Sequence, residues 1–333
     1  MPSWSKTKEA IANRNNDYDG IRRERIRAVE EISGRPLIIY ATAFLERSKV
    51  VFSQGEVGID NYDPIGFDEV ISVITGDNLD VLLHSPGGSP EAAESIVSLL
   101  RSRFTSLRFI VPHIAKSAAT MICCAGDEIL MDERSELGPI DPQMQLIRGD
   151  GVSILAPAQA IIKQFDKAKE TLADNPKQIT AWLPILQPLG PSLLTECDAA
   201  NKLSYKLVKD WLKMYMFRAR TNAEELADRV AVYLGNSTEH LSHGRRIGIE
   251  QLVELEVNVT DLRQTPILRE AIWNLYQAVT CTLQDTNAFK IIESGHDSAY
   301  IRQVMVQQIH LPSGAPPLPQ PPPYSKPKRR KHR

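Results

Sequence analysis

Between residues 36 and 131 the chain repeats one pattern: a short apolar run, a turn of glycine or small residues, then a segment with helical spacing. PLIIYATAF at 36–44, LDVLLHSPGG at 79–88 and LRFIVPHIA at 107–115 are the apolar runs. Short, continuously apolar and bounded by turn signals, they read as strands buried on both faces. FDEVISVI at 67–74 and PEAAESIVSLLRSRF at 90–104 have helical spacing, and Pro90 sits near the first turn of the second. SAATMICCAGDEILM continues as a small-residue helix and a short strand. Strands alternating with helices at this spacing predict a parallel sheet wound by βαβ crossovers, an α/β fold.

The flanks differ from this core. Asp19 is the expected cap of a helix with Ile21, Ile26, Val29 and Ile32 on one face, ended by Gly34. Residues 157–173 and 192–234 read as helices; Leu203, Leu207, Trp211 and Tyr215 recur at i, i+4 steps, and prolines interrupt the stretch between. A short helix and a strand are expected over 247–259 and one more helix over 266–283. From Leu311 the chain changes character, with eight of its 22 prolines in residues 312–333 and six Lys or Arg in residues 326–333. This tail reads as disordered and polyproline-like, with Pro316, Pro319 and Pro322 suited to an aromatic-lined groove on a partner. Without those six cations the net charge of −2 becomes −8, so the body is mildly acidic and nucleic-acid binding is not expected of it.

Composition excludes several classes. No apolar run approaches the roughly 20 residues of a membrane span, and the first twenty residues lack the apolar stretch of a secretory signal. Four cysteines in 333 residues make no disulfide framework, and without a C-x-x-C pair no zinc site is expected. A cytoplasmic protein without a metal is the expectation.

Two stretches carry chemistry. The first is His84-Ser85-Pro86-Gly87-Gly88-Ser89, directly after a strand, where adjacent glycines let the backbone turn sharply and expose N–H groups. A plain βα turn uses glycine in the same way. The second is Ala115-Lys116-Ser117-Ala118-Ala119-Thr120, at another strand-to-helix junction. Ser117 there serves equally as a helix cap, yet its small neighbours leave the hydroxyl open to a substrate.

Taken in order with Ser135-Glu136-Leu137-Gly138-Pro139-Ile140-Asp141-Pro142-Gln143, these stretches resemble the Clp-fold serine peptidases, the group of the Clp protease and signal peptide peptidase A. The resemblance is closest to the serine dehydrogenase proteinase family and covers residues 35–260. It implies a Clp/crotonase-like spiral of βαβ units, with Ser117 as nucleophile. It also implies an oxyanion hole from the N–H groups of Gly88 and Ala118, with Gly87 shaping the turn. Acyl transfer needs such an activated hydroxyl and two N–H groups aimed at the developing charge. No organic cofactor is implied, and no G-x-G-x-x-G follows a strand.

The general base departs from the group's pattern. No histidine stands between His113 and His240, where the Clp protease has one soon after its serine. The lysine of the signal peptide peptidase relatives falls at Gln159, in Ala156-Pro157-Ala158-Gln159. Two candidates remain. Lys163 lies one helical turn beyond Gln159; Lys167 and Lys169 are less well placed. His243 precedes RRIGIEQLVELEVNV, a segment similar to the region where the Clp protease keeps its triad acid, and an imidazole suits a base near neutrality.

The expected organisation is a helical extension over 1–35, a peptidase domain over 36–260, a helical extension over 261–310 and the tail over 311–333. The expected function is a serine peptidase acting on a peptide or protein substrate, assembled as a homo-oligomer. The alternative is a catalytically weak scaffold that recruits partners through its tail.

Overall fold

The computed structural model describes residues 4–53, 55–147, 151–187 and 189–304. The Pro-rich basic tail lies outside the described residues. Seven strands form the main sheet: β1 (Leu37–Thr42), β2 (Asn78–His84), β3 (Ser106–Val111), β4 (Glu128–Met131), β5 (Val259–Asp261), β6 (Ala288–Ser294) and β7 (Ala299–Gln303). Their spatial order is β7-β6-β1-β2-β3-β4-β5. Strands β1 to β5 pair in parallel, and β6 and β7 add antiparallel at the β1 edge. The expected α/β sheet is therefore present, with strands and helices alternating through its parallel part.

Both faces of the parallel part are buried, which is why its strands read as continuous apolar runs. Ile38, Tyr40, Val81, Leu83, Phe109, Val111, Ile129 and Met131 pack toward the helices Pro90–Arg103, Ala118–Cys124, Leu193–Trp211 and Ala223–Gly235. Leu37, Ile39, Ala41, Leu82, Ile110 and Leu130 pack toward Tyr18–Ser33 and Pro266–Asp285. Each fully buried aliphatic side chain contributes about 1.5–3 kcal/mol.

Two expectations change, and one element appears that the sequence did not predict. Asp17, not Asp19, caps the helix Tyr18–Ser33 by accepting from Gly20 N–H, while Asp19 pairs with Arg22 at 2.7 Å. The unpredicted element is a separate antiparallel pair of strands, Gln143–Ile147 with Ser153–Pro157. The segment after residue 260 is more than a helical decoration: the expected helix is there at Pro266–Asp285, but strand β6 follows it and lies against β1 in the sheet interior. Two charges in a fully buried strand, Lys290 and Glu293, conceal it from a hydropathy reading. Each is neutralised in place, Lys290 by Asp63 at 2.7 Å and Glu293 by Arg22 at 2.7 Å. Among the described residues no helix is long and apolar enough to cross a membrane.

Candidate active site

Strands β2 and β3 end side by side, and their following turns are stitched together. Ser85 N–H donates to Ile114 C=O at 3.0 Å, and Lys116 N–H donates to Ser85 C=O at 3.1 Å. Ser117 follows at once, with φ 52° and ψ −123°. A β-carbon-bearing residue in such a conformation costs on the order of 1–3 kcal/mol and persists only where the surroundings enforce it. The chain thus makes a sharp strand-to-helix turn at Ser117, a geometry able to present a side chain to a cleft. Ser117 occupies the cap position of the helix Ala118–Cys124 but makes no side-chain cap hydrogen bond, so its hydroxyl is not spent on the helix.

The Gly87–Gly88 turn lies against this serine. A β-carbon at Gly87 would stand 2.6 Å from Ser117 Cβ and 3.0 Å from Ala118 N. Gly88 pairs in parallel with Ile59 through its neighbours: Ile59 N–H donates to Gly87 C=O at 2.7 Å and Ser89 N–H to Ile59 C=O at 2.9 Å. That pattern turns the N–H of Gly88 itself away from Ile59. Among the described residues neither Gly88 N–H nor Ala118 N–H has an acceptor. Both residues line one cleft of about 550 Å³ with Gly87, Ser117 and His243. Its other walls are largely apolar, including Val57, Met121, Ile140, Met144 and Leu155.

His243 reaches this cleft from a distant loop. Its Nδ1 lies 2.8 Å from Asp141 Oδ1, and Asp141 is buried with its other oxygen accepting from Gln143 Nε2 at 2.8 Å. An ionised carboxylate only accepts, so the ring nitrogen facing Asp141 is the donor of this hydrogen bond, and Nε2 is left free of it. Two loops must be held together for this pair to form. Leu137 and Ile247 exchange backbone hydrogen bonds at 3.0 Å each way. Lys116 Nζ donates to Glu136 at 2.6 Å and to the carbonyls of Gly244 and Arg245 at 2.9 and 3.2 Å. Thr120 closes the third side, donating to Ala115 C=O at 2.8 Å and accepting from Gly138 N–H at 3.0 Å.

The structure thus brings Ser117, Gly87, Gly88, Ala118 and His243 to one cleft. It does not bring Lys163 there. The Lys163 ammonium hydrogen-bonds Thr238 on an exposed surface, at a second pocket that Asp141 and His243 also line. Gln159 is a strut between helices, donating to Gly235 C=O at 3.0 Å and accepting from Ser237 Oγ at 2.8 Å. Lys116, though adjacent to the serine, has its three N–H donors occupied as above. Asp141 is the member that sequence reasoning left without a role; its only signal was membership of the Leu137–Gln143 loop.

Residues 68–183 match the sequence model of the ClpP-like SDH-type serine proteinases, which supports the resemblance drawn from the motifs. The matched stretch contains both turns, Ser117 and Asp141 and ends before His243. Two curated relatives are uncharacterized proteins of Methanocaldococcus jannaschii. One is 37% identical over 103 residues, 31% of this chain and 33% of its own length. The other is 26% identical over 181 residues, 54% of this chain and 51% of its own length. The chain therefore spans a third of the first and about half of the second. No solved structure matches.

Proposed function

We propose that this chain is a serine peptidase with Ser117 as nucleophile, His243 as general base and Asp141 as the group that orients the base. One observation carries the reading: an unspent serine hydroxyl shares a cleft with a histidine whose far nitrogen is held by a buried carboxylate. Ser117 Oγ attacks the carbonyl carbon of a peptide bond, and its proton passes to His243 Nε2. Gly88 and Ala118 N–H groups receive the developing oxyanion. The protonated imidazole gives its proton to the leaving amine, an acyl ester remains on Ser117, and water hydrolyses it by the same route.

Val57, Met121, Ile140 and Met144 in the cleft favour peptides with apolar side chains beside the scissile bond. The four cysteines are free and buried, in keeping with a cytoplasmic location. A homo-oligomer belongs to the proposal through the resemblance to ring- and trimer-forming peptidases. The scaffold reading drew on Gln159 standing where relatives keep a base; His243 in the cleft, paired with the buried Asp141, weakens it. Incubation with a fluorophosphonate, followed by peptide mapping, is expected to place one adduct on Ser117 and none on Ser117→Ala. An unlabelled wild-type protein, or a variant labelled as well as wild type, would overturn the assignment.

A further inference from the structure

We propose that Lys290, on β6, is a positioning residue for the oxyanion half of the site, acting through the loop at 58–63. Its kinetic consequence rests on the peptidase reading; its structural claim does not. An ammonium buried in a sheet is costly unless every donor finds a partner. Lys290 is fully buried, and Nζ donates to Gly58 C=O at 2.7 Å, to Asp60 Oδ2 at 3.0 Å and to Asp63 Oδ1 at 2.7 Å. Asp63 also accepts from Tyr40 Oη on β1 at 2.6 Å and from Asp60 N–H at 3.0 Å. Arg302 on β7 adds a bond to Asp60 at 2.5 Å. The loop is thus pinned to three sheet strands at Gly58, Asp60 and Asp63.

Ile59 lies between two of those pins. It is also the residue whose N–H and C=O hold the backbone on either side of Gly88. The approach is tight: a β-carbon on Gly88 would stand 2.3 Å from Ile59 N and O, and one on Gly58 would stand 3.0 Å from Gly87 O. Lys290 therefore reaches the oxyanion turn through consecutive direct contacts, Gly58 and Asp60 first and then Ile59. The strand itself does not need the charge. Phe289 and Ile291, its neighbours, are buried apolar residues, and a methionine would satisfy the same packing. What the ammonium adds is its hold on the loop.

The test compares wild type, Lys290→Met and the double variant Lys290→Met/Asp63→Asn. The double variant leaves no unpaired buried charge and keeps the experiment interpretable where the single variant unfolds. Amide hydrogen exchange is measured over residues 87–89 and over β3, alongside kinact and KI for a fluorophosphonate. The expectation is exchange at least about tenfold faster in the turn with β3 unchanged, and kinact down about 10–100-fold with KI within twofold, since one misplaced oxyanion donor costs about that much or more. Turn exchange equal to wild type in a folded variant would overturn the proposal. So would exchange that rises equally across the sheet, or an unchanged kinact beside a loosened turn. A wild-type protein that takes no label, with the selective rise in turn exchange intact, would retire the peptidase reading and uphold the loop's dependence on Lys290.

Discussion

Ser117 and the Gly87–Gly88 turn are placed by backbone contacts between adjacent strand ends, whereas His243 and Asp141 meet through one side-chain hydrogen bond between residues 102 apart in sequence, on loops joined by the Leu137–Ile247 backbone pair and by Lys116. The first half is enforced by sterics, with no room for a single added carbon at Gly87. The second depends on a few polar links, the Leu137–Ile247 backbone pair and Lys116 to the Gly244 and Arg245 carbonyls. The difference teaches that one site can be rigid on one side and conditional on the other, and that the two sides should fail differently.

Gly87→Ala strikes the rigid side and should have the largest effect. Its β-carbon would fall 2.6 Å from Ser117 Cβ and 2.7 Å from Lys116 O, at a φ of +101° that disfavours any side chain. Neither neighbour yields easily, because Lys116 C=O accepts from Ala119 N–H at 2.9 Å. Acylation by a fluorophosphonate should drop at least about 10³-fold, and the Tm should fall by several degrees. A variant within tenfold of wild type would break the comparison from this side.

Asp141→Asn strikes the conditional side with little change of shape. It removes the acceptor that orients the His243 ring, so acylation should fall about 10²–10⁴-fold. Stopped-flow or quenched labelling at pH 7 measures this. A loss under threefold would mean that His243 works without its partner.

Lys116→Met separates holding from chemistry. The ion pair to Glu136 and both carbonyl links to the His243 loop disappear, while Ser117 and the glycine turn keep their backbone contacts. Labelling should slow about tenfold, and most of that loss should return in Lys116→Arg, whose guanidinium can reach the same acceptors. Equal rates in wild type and Lys116→Met would show that the loop is held by the Leu137–Ile247 pairing alone.

A smaller effect lies beneath the glycine turn and appears in stability rather than in rate. His84 is buried among Phe44, His113 and Tyr276, and among the described residues its Nδ1 has no hydrogen-bond partner. Burial, with His113 nearby, depresses its pKa to about 3. In the unfolded chain the imidazole titrates near about 6.5, so between those values the unfolded state binds the extra proton. Stability is complete above the unfolded pKa and declines as pH falls toward about 3, at up to about 1.4 kcal/mol per pH unit from this group. Urea unfolding at pH 7 and at pH 4.5 should show a smaller decline in His84→Leu than in wild type. Identical declines would place the acid sensitivity elsewhere.

The rigid half was legible in the sequence and the conditional half only in part. Continuous apolar runs marked β1, β2 and β3, since strands buried on both faces leave no polar alternation. The Gly-Gly turn and the small residues around Ser117 were visible because sterics there select residue types locally. Asp141 carried no comparable mark: an acid in a proline-flanked loop looks the same whether it faces solvent or a histidine. Lys163 was drawn in by helical spacing from Gln159, but spacing fixes a face of a helix and not what that face meets. Strand β6 was hidden because its two charges are paid for by Asp63 and Arg22, partners far away in the chain.

The most direct test of whether the two halves form one site is the rate at which a fluorophosphonate acylates Ser117 in wild type, His243→Ala and Lys163→Ala. The account predicts that His243→Ala slows labelling at least about 10²-fold, while Lys163→Ala, whose ammonium rests on exposed Thr238, stays within twofold of wild type. Labelling of Ser117 at the wild-type rate in His243→Ala, or its loss in Lys163→Ala, would contradict it.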